Sequence, residues 1–110
     1  MMPLFMLFLS LLFWHALADY PLQGDFIARA KSGLIPELPW QLGLFTHAFI
    51  HAFGVLVITG NLWAGLIELV AHSSIDYLKA RRQAFGIPVD QALHVLTKVV
   101  ILAVLRVRFV

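Results

Sequence analysis

The sequence contains no cysteine. Disulfide frameworks and thiolate metal sites are therefore excluded, and any metal must bind through imidazole and carboxylate. Charge is also scarce: Asp, Glu, Lys and Arg make up 13% of 110 residues, about half the usual share. A water-soluble domain of this size has a large surface to cover with polar groups. Too few are present, so lipid is the expected solvent. The net charge of +2 is small and dispersed, which argues against a nucleic-acid partner. Repeats of solenoid period and low-complexity tracts are missing as well. No Lys or Arg precedes the first apolar run, as it would in a secretory signal. Ala16-Leu17-Ala18 resembles a cleavage site, but His15 beside it belongs to a pattern shared with later segments, and the stretch 1–18 reads as a retained helix.

Hydrophobic residues make up 61% of the chain. They fall into four segments, at about 2–19, 40–59, 62–78 and 89–105, each near the roughly 20 residues of helix that a bilayer core requires. The expected fold is all-α: a single domain over 1–110, a membrane-embedded four-helix bundle running up-down-up-down. Pro21, Gly24, Gly33, Pro36 and Pro39 break up loop 20–39, and residues 25–31 within it can form a short interfacial helix. Gly60-Asn61 is a turn signal, and Gly86 and Pro88 mark the loop at 79–88. Arg29, Lys31, Lys79, Arg81 and Arg82 lie in the first and third loops, against Arg106 and Arg108 near the C-terminus. The positive-inside rule places those loops in the cytoplasm; the expected location is the inner (plasma) membrane, as a multi-pass protein. Trp14, Trp40 and Trp63 are candidate interface anchors, Trp14 equally a core residue. Gly43, Ala48, Ala52, Gly54, Ala64 and Gly65 would permit close helix packing.

The polar residues follow a pattern. Each expected span carries two potential ligands four residues apart: His15 and Asp19, His47 and His51, His72 and Asp76, Asp90 and His94. Residues at that spacing share one helix face. All five histidines belong to the set, as do all the aspartates except Asp25. The pairs lie near the ends of spans one and three and near the starts of spans two and four, so alternating topology brings them to the cytoplasmic side. His51 and His72 lie about equally far from Gly60-Asn61, near 15 Å at about 1.5 Å per residue. Intramembrane ionisable groups are costly without partners and are functional candidates by default.

Four-helix bundles can hold two-metal carboxylate–histidine sites, and eight donors exceed what one tetrahedral ion uses. The cofactor expected is a divalent metal, two ions of zinc, iron or manganese (nickel also suits the donors). The alternative is a His-Asp hydrogen-bonded network that holds the helices together. Glu68, one turn deeper than His72, is a candidate extra ligand or general base beside a metal-activated water; otherwise it is a carboxylic acid kept neutral by its surroundings. Gln91 is a candidate partner of the ligands, and Gln23 can fold its loop back over the site. Lys31, Lys79, Arg81 and Arg82 form a basic rim, suited to lipid headgroups or to an anionic substrate.

The motif His15-Ala-Leu-Ala-Asp19-Tyr-Pro-Leu-Gln23, then Lys31, His47-xxx-His51, His72-xxx-Asp76-Tyr-Leu-Lys79 and Asp90-Gln91-xx-His94, resembles the bacterial membrane proteins grouped as domain of unknown function 3307. The resemblance covers nearly the whole chain. It implies a multi-span membrane protein, adds Gln23, Lys31 and Lys79 to the candidate residues, and implies no established activity. The His47-xxx-His51 element is also similar to membrane-bound metal-dependent hydrolases and hydroxylases, but the extended histidine set of the hydroxylases is missing.

Three functions remain open. The first is a metal-dependent hydrolase acting on a lipid or lipid-linked phosphate. The second is a metal or proton transporter or sensor, which the apolar stretches 4–12, 55–58 and 99–104 oppose. The third is a non-enzymatic scaffold with a His-Asp core. The expected partners are the bilayer and an anionic lipid substrate.

Overall fold

The computed structural model describes residues 3–108, with side chains described as far as Arg106. Met1 and Met2, where the first span and the signal-like stretch begin, lie outside the described residues, as does the Arg108 side chain. The described residues form helices and no strands.

Prolines and glycines set most of the boundaries. Helix α1, Leu4–Asp19, starts after Pro3 and stops where Pro21 disfavours helix in the residue before it. Helix α2, Gly24–Lys31, begins at a glycine with φ +67°. Asp25 in its first turn and Arg29 and Lys31 in its last complement the helix dipole. It occupies the place of the short helix expected at 25–31. Helix α3, Trp40–Thr59, follows Pro39 and ends at Gly60, whose φ of +63° is the left-handed cap conformation. The Gly60 amide donates to Leu56 O at 2.8 Å. Asn61 then caps α4, Leu62–Asp76, its side chain accepting from the Ala64 amide at 3.1 Å. Two residues thus reverse the chain. A widened π-helical turn, Tyr77–Arg81, continues α4, and α5 runs Ile87–Arg108 with Pro88 in its first turn, where a missing N–H costs nothing.

Helix α3 packs on α4, α4 on α5, and α1 on both α3 and α5, while α2 lies across α3. Small residues permit two of the closest approaches. A Cβ at Gly43 would sit 2.7 Å from Ala30 Cβ and 2.9 Å from the Lys31 amide nitrogen, so Gly43 lets α2 lie on α3. Gly54 faces the indole of Trp14, which would collide with any side chain there. The Trp14 Nε1 donates to His51 O at 3.2 Å. Trp14 therefore takes the core role rather than the anchor role.

The molecule is inside-out relative to a water-soluble protein. Its buried side chains include all five histidines, Glu68, Asp76, Asp90, Thr97 and Lys98. Its outer face carries Phe5, Phe13, Phe45, Phe49, Phe53, Val57 and Val70, each at least half exposed. An apolar surface of this kind marks contact with something other than water. Helices α3 and α5 are long and apolar enough to cross a membrane, so the chain is membrane-associated.

The expectation of four spans is met only in part. Helix α1 has 16 residues and α4 has 15, about 24 and 22 Å at 1.5 Å per residue, short of the ~30 Å hydrocarbon core. Tyr20-Pro21 ends the first, and the π turn ends regular α-geometry in the other. By length and composition α1 qualifies only together with α2, from which it is bent by 86°.

Candidate metal centre

Each helix of the site brings one His/Asp or His/His pair inward, since side chains four apart stack on one face. Five imidazoles meet in one layer. His51 and His72 stack with centroids 3.8 Å apart, His72 and His94 lie at 4.3 Å, His47 and His51 at 4.7 Å, and His15 and His94 at 4.9 Å.

Asp19 is one hub. Its Oδ1 accepts from Nε2 of His47 at 3.0 Å and of His51 at 3.1 Å. Its Oδ2 accepts from the Gln91 amide at 3.0 Å and lies 3.3 Å from His15 Nε2. Asp76 is the other hub. Its Oδ2 takes the Lys31 ammonium at 3.0 Å and lies 3.5 Å from His72 Nε2 and 3.7 Å from His47 Nε2. Its Oδ1 lies 3.7 Å from His94 Nε2, and Asp90 Oδ1 approaches the same nitrogen at 3.4 Å. All eight candidate ligands therefore converge.

Donor atoms within 4.8 Å of one another form three groups. Asp19, His47, His51 and His72 make one; Asp76, Asp90 and His94 make a second; His15, His72 and His94 make a third that joins them. The first two share no residue. His72 Nε2, His94 Nε2 and Asp90 Oδ1 are buried with no hydrogen-bond partner in the protein. Lone-pair donors that converge without satisfying one another suit a cation, and this His/Asp cluster could hold a metal ion.

The flanking polar residues divide. Gln91 is woven into the site: its amide nitrogen also donates to Asp90 Oδ2 at 2.9 Å, and its oxygen accepts from His15 Nε2 at 3.1 Å. Gln23 donates to the Asp19 backbone carbonyl at 3.0 Å and so ties its loop to the end of α1. Lys79, carried on the π turn, reaches 3.6 Å from Asp90 Oδ2. Three carboxylates, Asp19, Asp76 and Asp90, face two ammonium groups here, Lys31 and Lys79. Arg81 turns elsewhere, stacking 4.8 Å over Trp40 and donating to Ser32 O at 3.0 Å. A pocket of about 340 Å³, lined by Gln23, Lys31, Ser32, Asp76, Lys79 and Gln83 among others, opens onto Asp76.

Glu68 joins none of the three groups. Its Oε1 pairs instead with the Lys98 ammonium, both side chains fully buried. Sequence reasoning overlooked Lys98. The signal was present: it lies one turn beyond His94 on the same face, a lone cation inside an apolar run.

No curated protein matches the chain, and no solved structure does. A family model does match, over residues 7–109, a stretch that takes in every one of the converging side chains. On that match the chain belongs to the family described as "Protein of unknown function (DUF3307)".

Proposed function

We propose that this protein is an integral membrane protein whose four long helices α1, α3, α4 and α5 enclose a divalent-metal centre on the cytoplasmic side of the inner membrane. Its activity is metal-dependent hydrolysis of a lipid or lipid-linked phosphate. The observation that carries the metal reading is the pair of donor groups that share no residue, four donors in one and three in the other, joined by His15 with His72 and His94. Two ions of zinc, iron or manganese fit this set. Bound there, they would supply Lewis acidity and an activated water.

The rest of the reading concerns this chain's own side chains. The pocket over Asp76 gives a phosphate group access from the loop side, and Lys31 and Lys79 at its wall would hold the anion. Asp76 lines that pocket and belongs to the donor set, so it is the carboxylate placed to accept a proton from an attacking water. A separate apolar groove, lined by Trp40, Leu44, Phe45, Tyr77 and Leu78 among others, suits an acyl chain. A transport path is opposed by the packed layer of Leu11, Val55, Ala64, Ile101 and Leu105.

Elemental analysis of detergent-purified protein tests the proposal. Wild type should retain up to two equivalents of a divalent metal, and His51→Ala should lose at least one. Wild type should also release phosphate from a phosphorylated lipid in mixed micelles, and Lys31→Ala should raise KM. Protein that takes up none of the three metals would remove the proposal.

A second reading has support of its own. Asp19 already accepts three hydrogen bonds, from His47, His51 and Gln91, as a purely structural His-Asp core would. In that case His72→Ala lowers thermal stability equally with and without metal. A metal centre instead predicts that added zinc raises the melting temperature of wild type and not of the variant.

A further inference from the structure

A second polar layer lies beneath the histidines, and nothing in the chemistry above uses it. Glu68 stands one turn before His72 on α4, and Lys98 one turn after His94 on α5. The two helices are neighbours, and the His72 and His94 rings lie 4.3 Å apart. One turn below His72 and His94, about 6 Å further from the loop-side pocket at 1.5 Å per residue, the carboxylate and ammonium meet with both side chains fully buried.

We infer that the Glu68–Lys98 pair is a positioning clamp that fixes the α4–α5 spacing and thereby the separation of the two donor groups. The inference rests on the metal centre proposed above. His72 belongs to one group and His94 to the other, and both enter the third. The distance between α4 and α5 at this depth therefore sets how far apart two bound ions sit.

The pair lies between the donor layer and a packed apolar layer in which Ala64 of α4 meets Ile101 and Leu105 of α5. The 82–86 connection between α4's π turn and α5 lies at the pocket end of the helices, as do the Lys79–Asp90 and His94–Asp76 contacts. Lipid provides no hydrophobic drive for helix association. A charge-assisted contact between two groups with no water to turn to does hold the helices, because separation leaves both charges unpaired. The charges also explain why the pair is not simply leucine and methionine: apolar residues would pack, but they would not specify one register.

The natural chain has no cysteine, so spin labels can be placed without competing thiols. Leu66→Cys on α4 and Val100→Cys on α5 provide exposed sites. Pulsed EPR on metal-free protein should give one narrow distance in wild type and a longer or broader one in Lys98→Met and in Glu68→Gln. The exchanged pair, Glu68→Lys with Lys98→Glu, should restore the wild-type distance. Zinc titration of the same proteins should show two ions in wild type and in the exchanged pair. In Lys98→Met the second ion should bind at least tenfold more weakly. Should Lys98→Met fail to fold, the apolar double variant Glu68→Leu with Lys98→Met leaves no unpaired charge at this layer and serves in its place.

An unchanged EPR distance overturns the clamp. So does a changed distance with both zinc ions bound as in wild type. A wild type that binds none of zinc, iron and manganese overturns the metal centre, and the spacing role with it, whatever the EPR distances; the two failures are thus told apart by which measurement is flat.

Discussion

At the scale of single residues, Asp19 concentrates the most interactions. It sits on the last turn of α1, yet its two oxygens engage His47 and His51 from α3 and Gln91 from α5, with His15 beside them. Removing the acceptor strands the buried His47 and His51 donors at once, each worth about 1–3 kcal/mol when left unsatisfied, while the Gln91 amide keeps its bond to Asp90. Asp19→Ala is expected to lower the unfolding temperature in detergent markedly and to abolish binding at the four-donor group. Asp19→Asn keeps the shape and loses the charge. It should stay folded with weakened metal binding, as calorimetric titration would show. The i,i+4 spacing made Asp19 legible as a ligand candidate. That it would gather partners from three helices was not legible, because spacing within one helix says nothing about which neighbour faces it.

At the scale of elements, α2 shows how a backbone contact can place a charged side chain. Gly43 removes the Cβ that would strike Ala30 and the Lys31 amide. The resulting contact of α2 with α3 brings Lys31 to within 3.0 Å of Asp76, 45 positions away in sequence. Gly43→Ala should push α2 outward and loosen that ion pair, with little effect on α3 itself. The expected readout is faster acylation of Lys31 by an amine-reactive reagent, measured by peptide mass spectrometry, while the helical signal is unchanged. The turn at Gly60 supports a second element-scale prediction. Nothing lies within 4 Å of a Cβ built there, but φ is +63°. Gly60→Ala should therefore cost about 1 kcal/mol through backbone conformation alone, seen as a small fall in thermal stability with metal binding intact. The turn and its cap could be read from Gly60-Asn61. The 86° bend between α1 and α2 could not, because breaker residues mark where a helix stops and leave its next direction open.

At the scale of the whole molecule, the arrangement of polarity decides the environment. Imidazoles, carboxylates and a buried Lys–Glu pair fill the interior, and phenylalanines face outward. The proposed topology places 20–39 and 79–88 on one side of the membrane and Gly60-Asn61 on the other. Single cysteines at Leu34, Gln83 and Asn61 in the cysteine-free chain test it. A membrane-impermeant maleimide should label 34 and 83 only from the cytoplasmic side, in inside-out vesicles, and 61 only in spheroplasts. Labelling of 61 and 83 from the same side would mean that fewer helices cross than proposed, as the length of α4 alone would allow.

The sequence alone determined the solvent, the helical class and the identity of the converging side chains. Hydropathy and i,i+4 spacing are properties of the local chain, and burying a charge in hydrocarbon is costly wherever the fold places it. Only the tertiary structure decided the partners. It divided the donors into two groups bridged by a third, gave Lys31 to Asp76 and Gln91 to Asp19, turned Arg81 onto Trp40, and set Glu68 against Lys98. Those choices depend on which helix faces which and at what height. That is fixed by close approaches at Gly43 and Gly54 and by the reversal at Gly60, contacts between residues far apart in the chain.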